Sequence, residues 1–434
     1  MSLFGTDGVR GRAGVGPLSQ DGARAIGRAF GEVIGGPVAL ARDPRESGPE
    51  LRDAVAAGLR ASGADVIDLG VLPTPALSWW LASSEAAGGV MITASHNPWH
   101  DNGIKFFAGD GTKASDATQR AVEEAMNRAG EPIGGGVSDA RNVLDAYLAS
   151  LPGDGLSGTV VADHASGAAH EALPAALRQA GASVVVASPP PDGRNINEGW
   201  GAVHPEALAA AVVAEGAYGG VAVDGDGDRV TLVDETGAVH DGDAVLGFLA
   251  RELAEEGALP GRLVIGTVTT NSGLERYLAA ADIRLRRSKV GDRHVAALMD
   301  EHGARLGGES SGHVLTPDLC PTGDGIRVAV EVLRRAGGRP LSTLLGAVPR
   351  DPSAKRAVRV GARPALDSLP PLVALLTEAD AALSAAGARR LLRYSGTEPV
   401  LRIQVEGPDA DLVASWADRL AECVRTCIPP EGAS

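Results

Sequence analysis

The sequence contains few cysteines, no long apolar run and no recognisable leader. Its three cysteines, Cys320, Cys423 and Cys427, have neither the spacing of a zinc site nor the density of a disulfide framework. No stretch approaches 18 uninterrupted apolar residues, and no charged segment followed by an apolar one opens the chain. We therefore expect a soluble cytoplasmic protein without a membrane span.

Positive charge is also scarce. The chain has 40 basic against 55 acidic residues, a formal net charge of −15, and no basic cluster. This balance argues against nucleic acid and acidic membranes as partners. Lysine is especially rare, and each of the four lysines, Lys105, Lys113, Lys289 and Lys355, deserves a closer look.

Three segments of the chain read alike: residues 37–70, 158–188 and 261–291. Each has a short β-branched run, a polar loop ending in Ser-Gly, an amphipathic Ala/Leu-rich helix and a second apolar run. This pattern predicts three successive α/β domains of common ancestry, each with a βαβ crossover. Chance similarity between ordinary α/β sequences is the alternative, and the shared position of the Ser-Gly pairs favours the repeat.

The last eighty or so residues break this pattern. A strand at 355–360, a helix over 368–386, two strands and a helix ending at Cys427 predict a smaller α+β unit. Segments rich in Pro, Gly and Asp lie near 151–158, 257–261 and 348–353. These segments predict domains at 1–152, 153–256, 257–353 and 354–434.

A serine follows one buried strand, in residues 88–98 (GGVMITASHNP). Ser95 stands in a tight polar turn, His96 follows it, and Lys105 comes shortly after. A serine at a strand end can be an exposed nucleophile. A serine that merely stabilises the turn before Pro98 is the competing interpretation. The Gly-x-Ser-x-Gly motif of a nucleophile elbow is absent.

Three carboxylates stand two residues apart in the loop that contains Asp224, Asp226 and Asp228. Such concentrated negative charge favours a hard cation. An EF-hand is the competitor, since Glu235 falls at its twelfth position. However, Arg229 occupies the sixth position, where an EF-hand needs glycine, and the flanking segments predict strands. The loop therefore predicts a site for Mg²⁺ or a similar cation.

Two further loops suit a sugar phosphate. Residues 307–313 (GGESSGH) offer a carboxylate, two hydroxyls and an imidazole to a polyhydroxylated ligand, although a plain turn is equally compatible. Residues 393–399 (RYSGTEP) combine an arginine, two hydroxyls and backbone N–H groups around a glycine, which suits a phosphate. A structural hairpin turn is the alternative for the second loop.

Two more segments present cations. Residues 4–11 (FGTDGVRG) are irregular and glycine-rich, and they present Arg10. Residues 289–293 (KVGDR) form another loop with basic side chains. A serine nucleophile, a cation site, a sugar loop and a phosphate loop, one in each domain, predict phosphoryl transfer on a phosphorylated, hydroxylated substrate.

At this point the chain resembles the α-D-phosphohexomutase family over essentially its full length. The motifs TASHNP (93–98), DGDGDR (224–229), GESSGH (308–313) and RYSGTEP (393–399) stand in the family's order, one in each domain. Within the family, residues 4–11, 289–293 and 405–407 look most like those of bacterial members that act on glucosamine phosphate. Two residues depart from the expected motifs: Ser310 stands where glutamine is expected, and Tyr394 stands where proline is common.

The resemblance implies three similar α/β domains with mixed sheets between helices, plus a smaller α+β C-terminal domain, around a central cleft. Ser95 would be a phosphoserine that donates a phosphoryl group to the sugar and recovers it. One Mg²⁺ would be held by Asp224, Asp226, Asp228 and the phosphoserine oxygen. Stabilisation of charge and proton transfer would fall to Arg10, His96, Lys105 and His313. Contacts to the substrate would come from Arg229, Lys289, Glu309, Ser311, Arg393, Ser395, Gly396, Thr397 and Arg402.

The reaction that the resemblance implies interconverts glucosamine 6-phosphate and glucosamine 1-phosphate, and it feeds UDP-N-acetylglucosamine and cell-wall synthesis. A sugar bisphosphate would be both intermediate and activator, and it must turn around in the cleft, which suits a movable C-terminal domain. The expected partners are small hexose or hexosamine phosphates, and a homodimer is left open. The alternatives are a member that acts on glucose or mannose phosphates, a metal-dependent phosphatase, and a sugar-phosphate sensor without catalysis.

Overall fold

Four β-sheets, each packed with helices, organise the part of the chain that the structure describes. The structure is a computed structural model that describes residues 8–126, 134–395 and 398–430. By contacts, the described residues fall into two units: Met1–Thr267 with Arg286–Ala347, and Val268–Leu285 with Val348–Ser434. Within the described ranges, no helix combines the length and the apolar character needed to cross a bilayer. The predicted α/β fold class, with three α/β domains and a smaller C-terminal one, is confirmed.

The first sheet has six strands in the order β1-β5-β4-β2-β3-β6. The strand β2 pairs parallel with β3 and β4, whereas β5 runs antiparallel to β4 and β1. Its elements are β1 Val9–Arg12, α1 Gln20–Ile34, β2 Val38–Arg42, α2 Gly48–Ala61, β3 Val66–Val71, α3 Thr74–Leu81, β4 Gly88–Ile92, β5 Asp101–Ala108, α4 Asp116–Met126, β6 Val137–Asp139 and α5 Val143–Ala149, with a 3₁₀ turn at Gly16–Leu18.

Helix α1 shows how the sequence sets these elements. Ser19 caps its start by accepting a hydrogen bond from the Gly22 N–H, and Gly35 ends it in the left-handed region with φ 69°. Glycine lets α1 approach α2 closely, because a Cβ on Gly27 would lie 2.3 Å from the Val55 carbonyl oxygen. The buried face of α1 therefore packs tightly on the core beneath the sheet.

The second sheet has five strands in the order β11-β10-β9-β7-β8. Its elements are β7 Thr159–Asp163, α6 Ala172–Gln179, β8 Ser183–Val186, α7 Glu206–Glu215, β9 Gly219–Val223, β10 Val230–Asp234 and β11 Val239–His240. The βαβ unit that the repeat predicts is present here as parallel β7 and β8 around α6, and in the first sheet as β2, α2 and β3. The strands β9 and β10 are antiparallel and fully buried, and Val223 pairs with Val230. The acidic loop therefore closes a β-hairpin, which excludes an EF-hand.

The third sheet has four strands in the order β13-β12-β14-β15, and β14 pairs parallel with β12 and antiparallel with β15. Its elements are α8 Gly242–Glu255, β12 Leu263–Thr267, α9 Ser272–Ala279, β13 Arg284–Ser288, α10 Asp292–His302, β14 Gly307–Gly308, β15 Val314–Leu315, α11 Gly325–Ala336 and α12 Leu341–Leu344, with a 3₁₀ turn at Pro260–Arg262. Asp324 caps the start of α11, because its carboxylate accepts the Arg327 N–H.

The second unit carries an antiparallel sheet in the order β16-β18-β17. Its elements are β16 Ser353–Arg359, α13 Pro370–Ala385, β17 Arg389–Tyr394, β18 Val400–Glu406 and α14 Ala410–Cys427, with a 3₁₀ turn at Leu366–Ser368. The strands and helices predicted for this region are all present, within a few residues of the expected bounds. Helix α9 belongs to this unit as well: the Ser272 N–H donates to Glu406 Oε1 at 3.0 Å, and Ser272 Oγ donates to Asp351.

Candidate active site

Ser95, which follows a strand of the first sheet, contacts the acidic loop of the second sheet. Ser95 follows β4 with a φ of 51°, a left-handed conformation that non-glycine residues rarely adopt. Its Oγ donates to Asp224 Oδ2 at 2.5 Å and lies 3.3 Å from His96 Nδ1. The hydroxyl that accepts the Ser95 N–H belongs to Thr93. Thr93 thus stabilises the turn, and the Ser95 hydroxyl is left to contact the acidic loop.

The three aspartates form one buried cluster. One carboxylate oxygen from each of Asp224, Asp226 and Asp228 lies within 4.8 Å of the others. Among the described residues, Asp226 Oδ1 and Asp228 Oδ1 are buried without a hydrogen-bond partner. Burial, together with the charges of Asp228 and Asp226, raises the pKa of Asp224. Unpartnered carboxylate oxygens that repel one another are suitable ligands for a hard divalent cation, so the residues present fit the magnesium that the sequence predicts.

Two side chains from the first sheet's segment contact this cluster. Lys105 on β5 is buried, and its Nζ lies 2.8 Å from Asp226 Oδ2 and 3.3 Å from Asp228 Oδ2. Thr74, at the start of α3, donates its hydroxyl to Asp226 Oδ2 at 2.5 Å and its N–H to the Asp226 carbonyl. Thr74 is a contact that the sequence analysis missed, because nothing marks it within its own segment.

An imidazole and a second lysine also lie near the cluster. His313 Nδ1 lies 3.8 Å from Asp228 Oδ1, and its Nε2 lies 3.3 Å from Asp292 Oδ2. Asp292 in turn lies 2.6 Å from the Nζ of Lys113. Burial opposes ionisation of Asp228, but Lys105 and His313 outweigh it and hold its pKa well below the ordinary value. Lys113 and Asp292 were not predicted as site residues, although Lys113 is one of only four lysines and Asp292 belongs to the KVGDR segment.

His96 lies among positive charges. Burial, together with the nearby charges of Arg229 and Arg10, lowers its pKa to about 4. The imidazole is therefore neutral near pH 7. Arg10 lies on β1 opposite Gly103 of β5, and the Arg229 N–H donates to Asp224 Oδ1 at 3.2 Å. The structure thus brings the predicted residues Arg10, His96 and Arg229 to the surroundings of Ser95. Residues 4–7 of the N-terminal motif lie outside the described residues.

The predicted sugar loop is joined to the KVGDR loop. Glu309 Oε1 accepts the Gly291 N–H at 2.9 Å, and the Glu309 N–H donates to the His313 carbonyl. Ser311 and Lys289 are both exposed. A carboxylate, a hydroxyl and an ammonium group are thus presented on two connected loops of the first unit.

The predicted phosphate loop belongs to the second unit. Arg393 and Arg402 are directly opposite each other on β17 and β18, so their side chains point to the same face of the sheet. Arg402 Nη2 lies 2.9 Å from Glu398 Oε2. Ser395 is buried, and its Oγ accepts the Glu398 N–H at 3.4 Å. Gly396 and Thr397 lie outside the described residues.

Comparison with known proteins places the chain in a family. The sequence profiles of phosphoglucomutase/phosphomannomutase match residues 1–132 (alpha/beta/alpha domain I), 145–237 (domain II), 241–351 (domain III) and 357–423 (C-terminal domain). The chain therefore belongs to the phosphoglucomutase/phosphomannomutase family of phosphohexomutases, and the resemblance found in the sequence is confirmed.

Individual relatives narrow this assignment. The chain is 43% identical to the phosphoglucosamine mutase of Symbiobacterium thermophilum, over 98% of this chain and 99% of that protein. It is 44% identical to the phosphoglucosamine mutase of Moorella thermoacetica, over 94% and 96%. Among solved structures, a phosphoglucomutase/phosphomannomutase family protein from Burkholderia thailandensis matches with a TM-score of 0.83 at 28% identity, over 99% and 98%. An Aspergillus fumigatus N-acetylphosphoglucosamine mutase, solved with GlcNAc-6P and magnesium, shares the fold with a TM-score of 0.67 at 16% identity, over 98% and 95%.

Proposed function

We propose that this enzyme interconverts glucosamine 6-phosphate and glucosamine 1-phosphate through a phosphorylated Ser95. The contact of Ser95 Oγ with Asp224 inside the buried aspartate cluster is the observation that carries the proposal, because it puts a nucleophilic oxygen beside ligands for a cation. The relatives at 43% and 44% identity, both phosphoglucosamine mutases, support the choice of sugar.

The proposed chemistry is an exchange of one phosphoryl group between two oxygens. The bond from phosphorus to Ser95 Oγ breaks as a bond to a sugar hydroxyl oxygen forms, and the hydroxyl proton passes to a base. In the second half, the bond from the other phosphorus to its sugar oxygen breaks as a bond to Ser95 Oγ forms, and the base gives its proton to that sugar oxygen, so the enzyme ends as it began. Mg²⁺ held by Asp224, Asp226 and Asp228 would neutralise charge on the phosphoryl oxygens.

The side chains around the cluster suit the remaining tasks. Lys105, buried beside Asp226 and Asp228, is a fixed positive charge for the phosphoryl group in transit. His313, between Asp228 and Asp292, is a candidate to hold or release the proton of the reacting hydroxyl. A neutral His96 beside Ser95 Oγ adds no further charge at pH 7.

Binding of the phosphate that does not react is assigned to the last domain. Arg393 and Arg402 share one face of the β17–β18 ribbon and suit a phosphate dianion. With Ser395, Gly396 and Thr397 they form the proposed cradle.

Three further expectations stay proposals. The proposed domains span residues 1–152, 153–256, 257–353 and 354–434. The proposed compartment is the cytoplasm, and a homodimer is left open.

The choice among sugars is assigned to Glu309 and Ser311. A carboxylate can pair with the 2-ammonium group of glucosamine, a charge-assisted contact that a 2-hydroxyl group makes less strongly. We expect glucosamine phosphate to be preferred over glucose phosphate by one to two orders of magnitude in kcat/KM, or about 1.4–2.8 kcal/mol.

Two variants test whether Arg393 binds the phosphate and Glu309 selects the sugar. Arg393→Ala removes a contact to phosphate and should lower kcat/KM for all hexose phosphates alike. Glu309→Gln should narrow the gap between glucosamine phosphate and glucose phosphate. The measurement is kcat/KM for both sugars with the wild type and each variant. Equal efficiency of the wild type on both sugars would instead favour an enzyme for glucose or mannose phosphates.

A further inference from the structure

The loop that carries Ser95 is held in an unfavourable backbone conformation. A φ of 51° at a serine is strained, so neighbouring contacts must maintain it. Ser95 Oγ reaches Asp224, on the second sheet's hairpin, only while the loop keeps its position relative to that hairpin. Two kinds of contact are therefore needed: contacts that fix the shape of the loop, and contacts that fix its place.

The shape of the loop is fixed from within the first sheet's segment. Arg45 is fully buried, and its Nη2 donates to the carbonyl oxygens of Ser95 and Asn97, each at 2.9 Å. Its Nη1 donates to the carbonyl oxygens of Pro98 and Asp101 at 2.5 and 3.0 Å. One guanidinium group thus accounts for four carbonyl groups of this turn.

Asn197 contacts the same loop from the second sheet's segment. Its Nδ2 donates to the carbonyl oxygens of Ser95 at 2.9 Å and of Asn97 at 3.0 Å, two of the oxygens that Arg45 also contacts. Asn197 is itself left-handed, with a φ of 59°, and is 5% exposed. Its N–H donates to the Ala165 carbonyl at 2.9 Å, which ties it to the loop after β7.

Asn197 also borders the acidic loop. A Cβ on Gly225, between the first two aspartates, would lie 2.6 Å from the Ser95 carbonyl oxygen and 2.8 Å from Asn197 Nδ2. The glycine is therefore required for the close approach of three segments: the serine loop, the acidic loop and the turn that carries Asn197. The amide of Asn197 lies at the point where these segments meet.

We propose that Asn197 is a positioning residue for the phosphoryl transfer: by holding the Ser95 and Asn97 carbonyl groups against the acidic loop, it keeps Ser95 Oγ in line for reaction. This inference rests on the proposed phosphoserine mechanism. The side-chain amide of Asn197 donates to the backbone carbonyl groups of Ser95 and Asn97, so it acts on the reaction through the position of Ser95.

Two substitutions remove the amide donors in different ways. Asn197→Asp puts carboxylate oxygens against the two carbonyl oxygens. Asn197→Gly removes the side chain and tolerates the positive φ, so it remains informative if the aspartate variant does not fold. Asn195→Asp is the matched control, because Asn195 is half-buried, lies two residues away and donates to the Pro190 carbonyl at 2.9 Å, not to the serine loop.

The assay is a single turnover. Unphosphorylated full-length protein is mixed with glucose 1,6-bisphosphate and Mg²⁺, quenched at intervals, and the gain of one phosphate is followed by intact mass. The rate constant reports on folded molecules alone, whereas the amplitude reports how many molecules are folded. A merely structural role would lower the amplitude and leave the rate constant unchanged.

We expect both Asn197 variants to lower the rate constant about 10- to 100-fold, the range that a small misplacement of reacting groups produces. The Asn195→Asp control should match the wild type. Rate constants in the Asn197 variants equal to that of the wild type would overturn the inference while leaving the mechanism intact. A wild type that acquires no phosphate from the bisphosphate would instead overturn the proposed function.

Discussion

Replacing Asp224 by asparagine should separate the charge of the aspartate cluster from its hydrogen bonds. Asp224 accepts from the Ser95 hydroxyl and from the Arg229 N–H. In Asp224→Asn, the amide oxygen can still accept the Arg229 N–H, and the amide nitrogen can donate to Ser95 Oγ. The shape and the number of hydrogen bonds are kept, while a buried group that can ionise is replaced by one that cannot.

The magnitude follows from the separation of the carboxylates. One oxygen of each carboxylate lies within 4.8 Å of the others, and two unit charges at that limit repel by about 3.5 kcal/mol at an effective dielectric constant of about 20. Burial, together with this repulsion by Asp228 and Asp226, raises the pKa of Asp224 to about 8, so without a cation Asp224 stays protonated below about that pH. The folded state therefore disfavours ionisation, and the wild type should lose stability relative to Asp224→Asn as pH rises from about 4 to about 8.

The assay is denaturation of both proteins, with chelator and with Mg²⁺, at pH 7 and pH 9. With chelator at pH 9, Asp224→Asn should be the more stable protein, by up to a few kcal/mol. With Mg²⁺ at about 100 times its dissociation constant, the wild type should gain about 2.7 kcal/mol and the variant much less. Equal stabilisation of both proteins by Mg²⁺, or a variant less stable than the wild type in chelator at pH 9, would refute the reasoning.

Three further predictions concern charges elsewhere in the chain. Burial lowers the pKa of His164 to about 4, so the wild type should lose up to about 3 kcal/mol of stability relative to His164→Phe as pH falls from 6.5 to 4. An equal dependence of the unfolding free energy on pH in both proteins would contradict this. Asp292→Asn and Lys113→Met each remove one partner of a 2.6 Å ion pair, so a double-mutant cycle on kcat should show a coupling of about 1–3 kcal/mol. Additive effects of the two substitutions would contradict a role for this pair. Glu398→Gln removes the carboxylate that pairs with Arg402 and so frees this arginine for phosphate, and calorimetry should show hexose phosphate binding up to about fivefold tighter. Weaker binding would instead show that Glu398 positions Arg402 for the ligand.

The sequence predicted those parts of the site that local chemistry reveals. The acidic loop was identifiable because three carboxylates alternate with glycines between two apolar runs, and β9 and β10 flank it as expected. Ser95 was identifiable because it directly follows a buried strand. The C-terminal strands and helices were predictable from their periodicity, which burial of one face imposes on each element.

The remaining contacts join residues that are distant in the chain. Asn197 and Ser95 are 102 residues apart, and Thr74 and Asp226 are 152 apart, so no local spacing connects either pair. An asparagine in a turn or a threonine at a helix start has many ordinary roles. Only the packing of one sheet's loops against another's shows what these side chains contact.

The central claim is that Ser95 carries the phosphoryl group, and intact mass tests it most directly. The wild type, after exposure to glucose 1,6-bisphosphate and Mg²⁺, should carry one phosphate that peptide mapping places on Ser95. Ser95→Ala should carry none, and its mutase activity should fall by orders of magnitude. A Ser95→Ala protein with full mutase activity, or with the phosphate still present, would contradict the account.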